Sequence, residues 1–240
     1  MVSAASDSGA ALQLAGRRAV IAMAGMPIGR QLAQGLARHG AQVFEIPVVF
    51  TSKAQADEAL AEAAREIGDA DLIVHAAATP AALVVRPLEA LTPADWRAAV
   101  HQSVLATLFC LQGAHSQQRE RGGSVVVVGP STALVGAAGL LPLMTLAEAQ
   151  RTLVKSAARQ WGALGMRLNW VGVAPLHYDA ALAQAALPQT PELGPPPPAL
   201  GRRPEPQADV ADVVAWLGSA GARAITGASF NLDGGDWMVP

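Results

Sequence analysis

Three places in this chain hold side chains that could move a proton or attack an electrophile. His75 closes the apolar run Asp71-Leu72-Ile73-Val74-His75, and imidazole is the group best suited to general base work near neutral pH. His177-Tyr178-Asp179 sets a base, a phenol and a carboxylate in consecutive positions. Adjacent side chains cannot all face one cleft, so this tripeptide also reads as a solvated loop, and a histidine without a visible partner also reads as a packed one. Cys110 lies in an apolar helical stretch and reads as a core thiol. It is the only cysteine, so the sequence offers no internal disulfide and no metal-ligand cluster.

Composition narrows the field further. With 240 residues, 51% of them hydrophobic, the chain suits one domain with a large core. A net charge of -2 and the absence of a Lys/Arg run give no footprint for nucleic acid or an acidic membrane surface. Met1 to Gly16 lacks the basic start of a secretory signal, and no apolar run is long enough to span a bilayer, so the expected location is the cytoplasm.

The elements that must position these groups alternate between strand and helix patterns. Strands are expected at Arg18 to Ala24, Gln42 to Ile46, Asp71 to Ala76, Ser124 to Val128, Arg167 to Val173 and Ala228 to Leu232. Helices are expected at Gly29 to His39, Ala54 to Ile67, from Pro93 through Leu111, Leu141 to Trp161 and Ala208 to Ser219. This rhythm predicts an α/β fold, a Rossmann-like doubly wound parallel sheet in a single domain. Residues 1–13 read as a flexible N-terminus and 14–240 as the domain. The Pro-rich stretch 187–207 must be a surface loop, because proline has no N–H to donate and restricts the residue before it. It reads as a lid over a cleft or as a stiff connector. Only a few residues separate Val43 from Val48-Val49-Phe50, too few for a parallel crossover, so the second/third-strand region is expected to be truncated.

Ala211-Asp212-Val213-Val214-Ala215-Trp216-Leu217, then Ile225-Thr226-Gly227-Ala228, then Asp233-Gly234-Gly235 resembles the C-terminal signature of the short-chain dehydrogenase/reductase family. Gly122 to Val128 resembles that family's fifth strand, Arg167-Leu168-Asn169 its sixth, and Asp71 to Val74 its fourth. The resemblance runs from Leu14 to Trp237. It implies a catalytic Tyr, a Lys four residues later, a Ser and a structural Asn, and these positions hold Leu143, Ala147, Pro130 and Ser103. Ser131 beside Pro130 would have no Tyr or Lys to work with.

The cofactor positions implied by the resemblance depart as well. Its Gly-rich turn falls on Met23, Pro27 and Gly29, where Pro27 has no N–H for a phosphate and Met23 carries a long side chain. Each charge-assisted hydrogen bond lost would cost about 1.5–3 kcal/mol. The residue that would read the adenosine ribose is Pro47, and Asn-Asn-Ala-Gly after the fourth strand has become His75-Ala76-Ala77-Ala78.

The resemblance therefore implies a degenerate member with no catalytic residue and no dinucleotide of its own. Its expected role is a non-catalytic subunit in a heterotetramer with an active paralogue that carries NAD and oxidises a hydroxyacyl-CoA. The family assembles through its two long central helices and its last strand, which makes Leu146, Leu153, Trp161, Phe230 and Trp237 interface candidates. Two other readings stay open: a nicotinamide-independent lyase, isomerase or hydrolase using His75, His177 or Tyr178, and a small-molecule-binding regulatory protein.

Overall fold

Six short strands, β1 (Arg18–Ala22), β2 (Gln42–Ile46), β3 (Leu72–Ala76), β4 (Gly123–Pro130), β5 (Met166–Val173) and β6 (Ser229–Leu232), form one parallel sheet in the computed structural model. Their order is β2-β1-β3-β4-β5-β6. The structure describes residues 13–76, 78–134, 136–179, 182 and 198–236. Nearly all of the expected flexible N-terminus, most of the 187–207 loop, Ala77 and Trp237 lie outside the described residues.

The helices are α1 (Pro27–Arg38), α2 (Lys53–Ile67), α3 (Pro93–Trp96), α4 (Gln102–Gln118), α5 (Leu141–Trp161) and α6 (Ala211–Gly218). Successive strand residues point to opposite faces, and two cores result. Ala19, Ile21, Leu72, Val74, Val126 and Val128 pack with α1 and α6. Val20, Ala22, Ile73, Val125 and Val127 pack with α2, α4 and α5. Burial on both faces is why β3 and β4 read as unbroken apolar runs rather than alternating ones. The expected α/β class and doubly wound parallel arrangement are what the structure shows.

The boundaries differ from expectation in three informative places. β1 stops at Ala22 rather than Ala24, because Met23 turns into the left-handed region with φ 65°. α1 starts at Pro27 rather than Gly29, with the proline in the first turn, where its missing N–H costs nothing. Pro206, assigned to the loop, instead opens a π turn, Pro206–Val210, that leads into α6. Proline is tolerated there for the same reason.

The expected truncation is also present. Val48-Val49-Phe50 form no strand, and α2 carries the chain from β2 back across β1 to β3. β3 occupies the place of the family's fourth strand, so β2 is the sheet's edge. The chain winds one way from β1 and then the other from β3, which puts the crevice for a ligand above the C-terminal ends of these two strands.

Met23 is 2% exposed despite its left-handed backbone. Replacing it with glycine would relieve about 1–2 kcal/mol of strain and forfeit the burial of a core methionine, worth about 2–5 kcal/mol. The lost burial outweighs the relieved strain. Met23→Gly is therefore expected to destabilise the protein by about 1–3 kcal/mol in denaturant unfolding, although glycine suits the turn better.

Candidate functional site

The crevice begins at the turn after β1. Met26 N–H donates to the Met23 carbonyl at 3.2 Å, and Ala24 N–H donates to Ile46 at 2.9 Å, tying the turn to the end of β2. A side chain at Gly25 would strike the Pro47 carbonyl oxygen at 2.6 Å, and one at Gly29 would strike Ala24 Cα at 2.7 Å. Gly29 is thus kept for close strand-to-helix packing. At the positions the resemblance assigns to a pyrophosphate, Met23 is buried, Pro27 brings no N–H, and the Pro47 backbone lies close against Gly25. Ala78 is fully buried. Met23, Pro27 and Pro47 thus depart from what the resemblance implies for an adenine dinucleotide.

On the α4 side of the sheet, His75 is fully buried and shares a polar network with α4 and α5. The Thr107 hydroxyl donates to the Ser103 carbonyl at 3.1 Å and accepts from Gln150 Nε2 at 3.2 Å. With its one proton spent, Thr107 can only accept from His75 Nε2, 3.1 Å away. This fixes the Nε2–H tautomer and leaves His75 Nδ1 without a partner among the described residues. Burial pushes the His75 pKa down to about 3, so the ring stays neutral.

Ser103, in place of the structural asparagine, has its own task. Its hydroxyl donates to the Ala99 carbonyl at 2.6 Å and accepts from the Thr79 hydroxyl at 2.7 Å. That chain fastens the segment after β3 to the start of α4, next to the π turn at Arg97–His101.

The remaining vestigial positions carry no proton-transfer group. Pro130 is the buried last residue of β4, and Ser131 after it is 1% exposed with its hydroxyl unpartnered among the described residues. Leu143 and Ala147 are fully buried on α5. Trp170, on β5, is the residue that sequence reasoning missed. Gly129 and Gly172 stand opposite one another in the β4–β5 register. A Cβ on Gly129 would meet Trp170 Nε1 at 2.8 Å, and one on Gly172 would meet its six-membered ring at 2.7 Å. The indole therefore lies flat across the paired glycines, in the same buried cluster as Ala147, and Arg151 of α5 stacks on it at 5.5 Å. The signal in the sequence was a tryptophan two residues before one glycine, with a second glycine at the end of the neighbouring strand.

The tripeptide after β5 is not a solvated loop. Tyr178 is 1% exposed and its hydroxyl donates to the Val128 carbonyl at 2.7 Å. Burial raises its pKa well above that of an ordinary phenol. The ring is a core residue that ties the end of β5 to β4, because a buried aromatic with one polar end needs only one acceptor. His177 is half-buried, which lowers its pKa, and Asp179 is exposed. The three do not converge with His75, which sits on another strand and points toward α4.

Of the interface candidates, Leu146 is fully buried in the chain's own core and presents nothing to a partner. Leu153, Trp161 and Phe230 are partly buried. Trp161 packs on His115 of α4 with ring centroids 4.8 Å apart, and Phe230 meets Trp216 edge-on at 6.0 Å. Cys110 is buried, which raises its thiol pKa to about 12 and confirms a core role. Among the described residues there is no metal-ligand cluster and no helix long and apolar enough to cross a membrane.

A family model described as "Enoyl-(Acyl carrier protein) reductase" matches residues 5–236. The chain belongs to the short-chain dehydrogenase/reductase family. Among relatives in this family, it is 29% identical over 245 residues to the cis-4-hydroxycyclohexanecarboxylate dehydrogenase of Sinomonas cyclohexanicum, covering 98% of this chain and 94% of that one. It is 25% identical over 252 residues to the 3-oxoacyl-[acyl-carrier-protein] reductase of Vibrio cholerae, covering 95% and 100%. A solved dehydrogenase/reductase from Sinorhizobium meliloti 1021 superposes with a TM-score of 0.77 at 25% identity, covering 95% and 98%. These relatives are named as enzymes, so the departures at Met23, Pro27, Pro130, Leu143 and Ala147 stand against a family background of dehydrogenases.

The buried neutral histidine sets a pH dependence. Its folded pKa lies below the ordinary 6.5, so the unfolded chain binds the proton first, and the stability held above pH 6.5 is lost as pH falls toward 3. His75→Gln keeps a donor for Thr107 and removes the titration. Thermal unfolding of this variant is expected to lose less stability than the wild type between about pH 6.5 and 4.

Proposed function

We propose that this chain is a non-catalytic member of its family that assembles with, and supports, an active NAD-dependent paralogue. One observation carries the reading: the indole of Trp170 covers the sheet at the ends of β4 and β5, beside a helix that offers Leu143 and Ala147 where the family places its acid and its cation. Proton transfer needs an ionisable group within hydrogen-bond reach of the substrate oxygen. A closed glycine turn and a proline at the ribose position support a chain that holds no dinucleotide, with NAD in the partner.

Support for a partner comes from the outer sides of α4 and α5. Leu105, Leu108, Phe109, Leu153 and Trp161 remain partly exposed there, the apolar and aromatic make-up expected of a covered surface. β6 adds an edge paired on one side only, among the described residues. A heterotetramer in the cytoplasm is the assembly proposed, with a hydroxyacyl-CoA as substrate. The pattern resembles the inactive subunit of the two-subunit dehydrogenase that oxidises 2-[hydroxy(phenyl)methyl]succinyl-CoA in anaerobic toluene degradation, which makes that thioester the first substrate to test.

The nicotinamide-independent alternative finds less support. His75 is sealed and hydrogen-bonded, Tyr178 is spent on Val128, and His177 stands apart from both. Co-expression with a short-chain dehydrogenase paralogue, followed by native mass spectrometry and assay, decides between the readings. A defined hetero-oligomer is expected whose activity disappears on substitution of the paralogue's catalytic Tyr and survives His75→Gln and His177→Ala in this chain. The isolated chain is expected to give no saturable NADH fluorescence change up to about 1 mM, a concentration that would reveal even a weak site of about 4 kcal/mol. Stoichiometric NADH binding by this chain alone, or turnover abolished by His75→Gln, would sink the proposal.

A further inference from the structure

The opposite end of the sheet, below the N-terminal ends of the strands, holds a depression of about 180 Å³ lined by Arg17, Arg121, Arg167 and Arg223 with a single carboxylate, Asp71. Four guanidinium groups against one carboxylate leave a formal charge of +3 in a chain whose net charge is -2. We infer that this depression is a binding site for a multiply charged oxyanion of the phosphate or diphosphate class.

Asp71 cannot neutralise the cluster. Its Oδ1 accepts from Arg121 Nη2 at 2.7 Å, Arg18 Nη2 at 3.3 Å and Arg17 Nη1 at 3.5 Å, and its Oδ2 accepts from the Arg18 backbone N–H and Nε, both at 3.0 Å. Burial alone would raise its pKa, but the hydrogen bonds from Arg18 and Arg121 outweigh that and hold it well below the usual carboxylate range. The carboxylate is ionised throughout the neutral range, and its acceptor capacity is full.

Part of the arginine content has a structural reason. Arg167 donates to the Leu217 carbonyl in the last turn of α6 at 2.7 Å and to the Ala222 carbonyl just beyond that helix at 3.0 Å. Arg121 donates to the Asp69 carbonyl at 3.2 Å. These duties do not extend to Arg17, whose one contact is the 3.5 Å approach to Asp71, or to Arg223, whose side chain has no acceptor among the described residues. Two guanidinium groups on the rim of a polar hollow, with a third and fourth fixed in its wall, can receive an anion through planar, paired N–H donors. A monocarboxylate would leave most of the charge uncompensated, whereas a phosphate dianion reduces it to +1 and a diphosphate trianion balances it. The site lies at the far end of the sheet from the crevice, and its test is independent of whether the chain is catalytic.

The probe is inorganic pyrophosphate, titrated into the full chain at low ionic strength and followed by calorimetry and thermal shift, with inorganic phosphate as the smaller comparison. Saturable one-site binding with a rise in melting temperature is expected. Arg17→Ala combined with Arg223→Ala is expected to weaken it about tenfold or more, while Arg159→Ala on α5 leaves it unchanged. Should the double variant fold poorly, Arg223→Gln alone carries the test, since that exposed side chain holds nothing together. Binding without saturation, or equal affinity in wild type and rim variants, overturns the inference.

Discussion

An indole lying across two facing glycines governs the upper half of this molecule. Trp170 can lie flat only because Gly129 and Gly172 stand side by side in the β4–β5 register, and no other residue pair would leave it room. Once it is there, it joins the buried cluster that includes Ala147, and Arg151 of α5 finds a face to stack on. The two α5 positions that the resemblance assigns to a tyrosine and a lysine, Leu143 and Ala147, are buried in this packing. Packing of this density resists partial reversal, since each member presumes the others.

The polar groups that survive beneath the crevice have become internal mortar. His75, Thr107, Gln150 and Ser103 form a line from β3 through α4 to α5, and Ser103 continues it to Thr79. Such a network specifies one arrangement of helices on the sheet because every broken link strands a buried donor or acceptor. Tyr178 works in the same way from the other side, clamping the chain after β5 to β4. Residues that look reactive in the sequence are therefore spent on architecture.

Most of the fold was legible from residue order. β-branched runs and helix-spaced leucines placed every strand and helix of the sheet, and the short gap after Val43 exposed the missing crossover. The flanking motifs also gave Pro130, Leu143 and Ala147 a register, and the structure buries all three. Four features were hidden for physical reasons. Tyr178 looked solvated because its neighbours are polar, and only tertiary contact shows the Val128 carbonyl waiting for it. Leu146 looked like surplus apolar surface, but α5 is covered on more than one side by its own chain. Trp170 carries its meaning through glycines on two strands, a relation that no local window contains. The arginine hollow escaped for the same reason: its lining comes from segments scattered between Arg17 and Arg223.

The turn after β1 still bends as though a glycine stood there, with Met23 held left-handed by the burial of its own side chain. Strain and anchorage share one residue, so the backbone there behaves as a sprung latch. Any fluctuation that frees the thioether from its pocket also lets the dihedral relax, so at this corner release of the side chain and release of the backbone are one event.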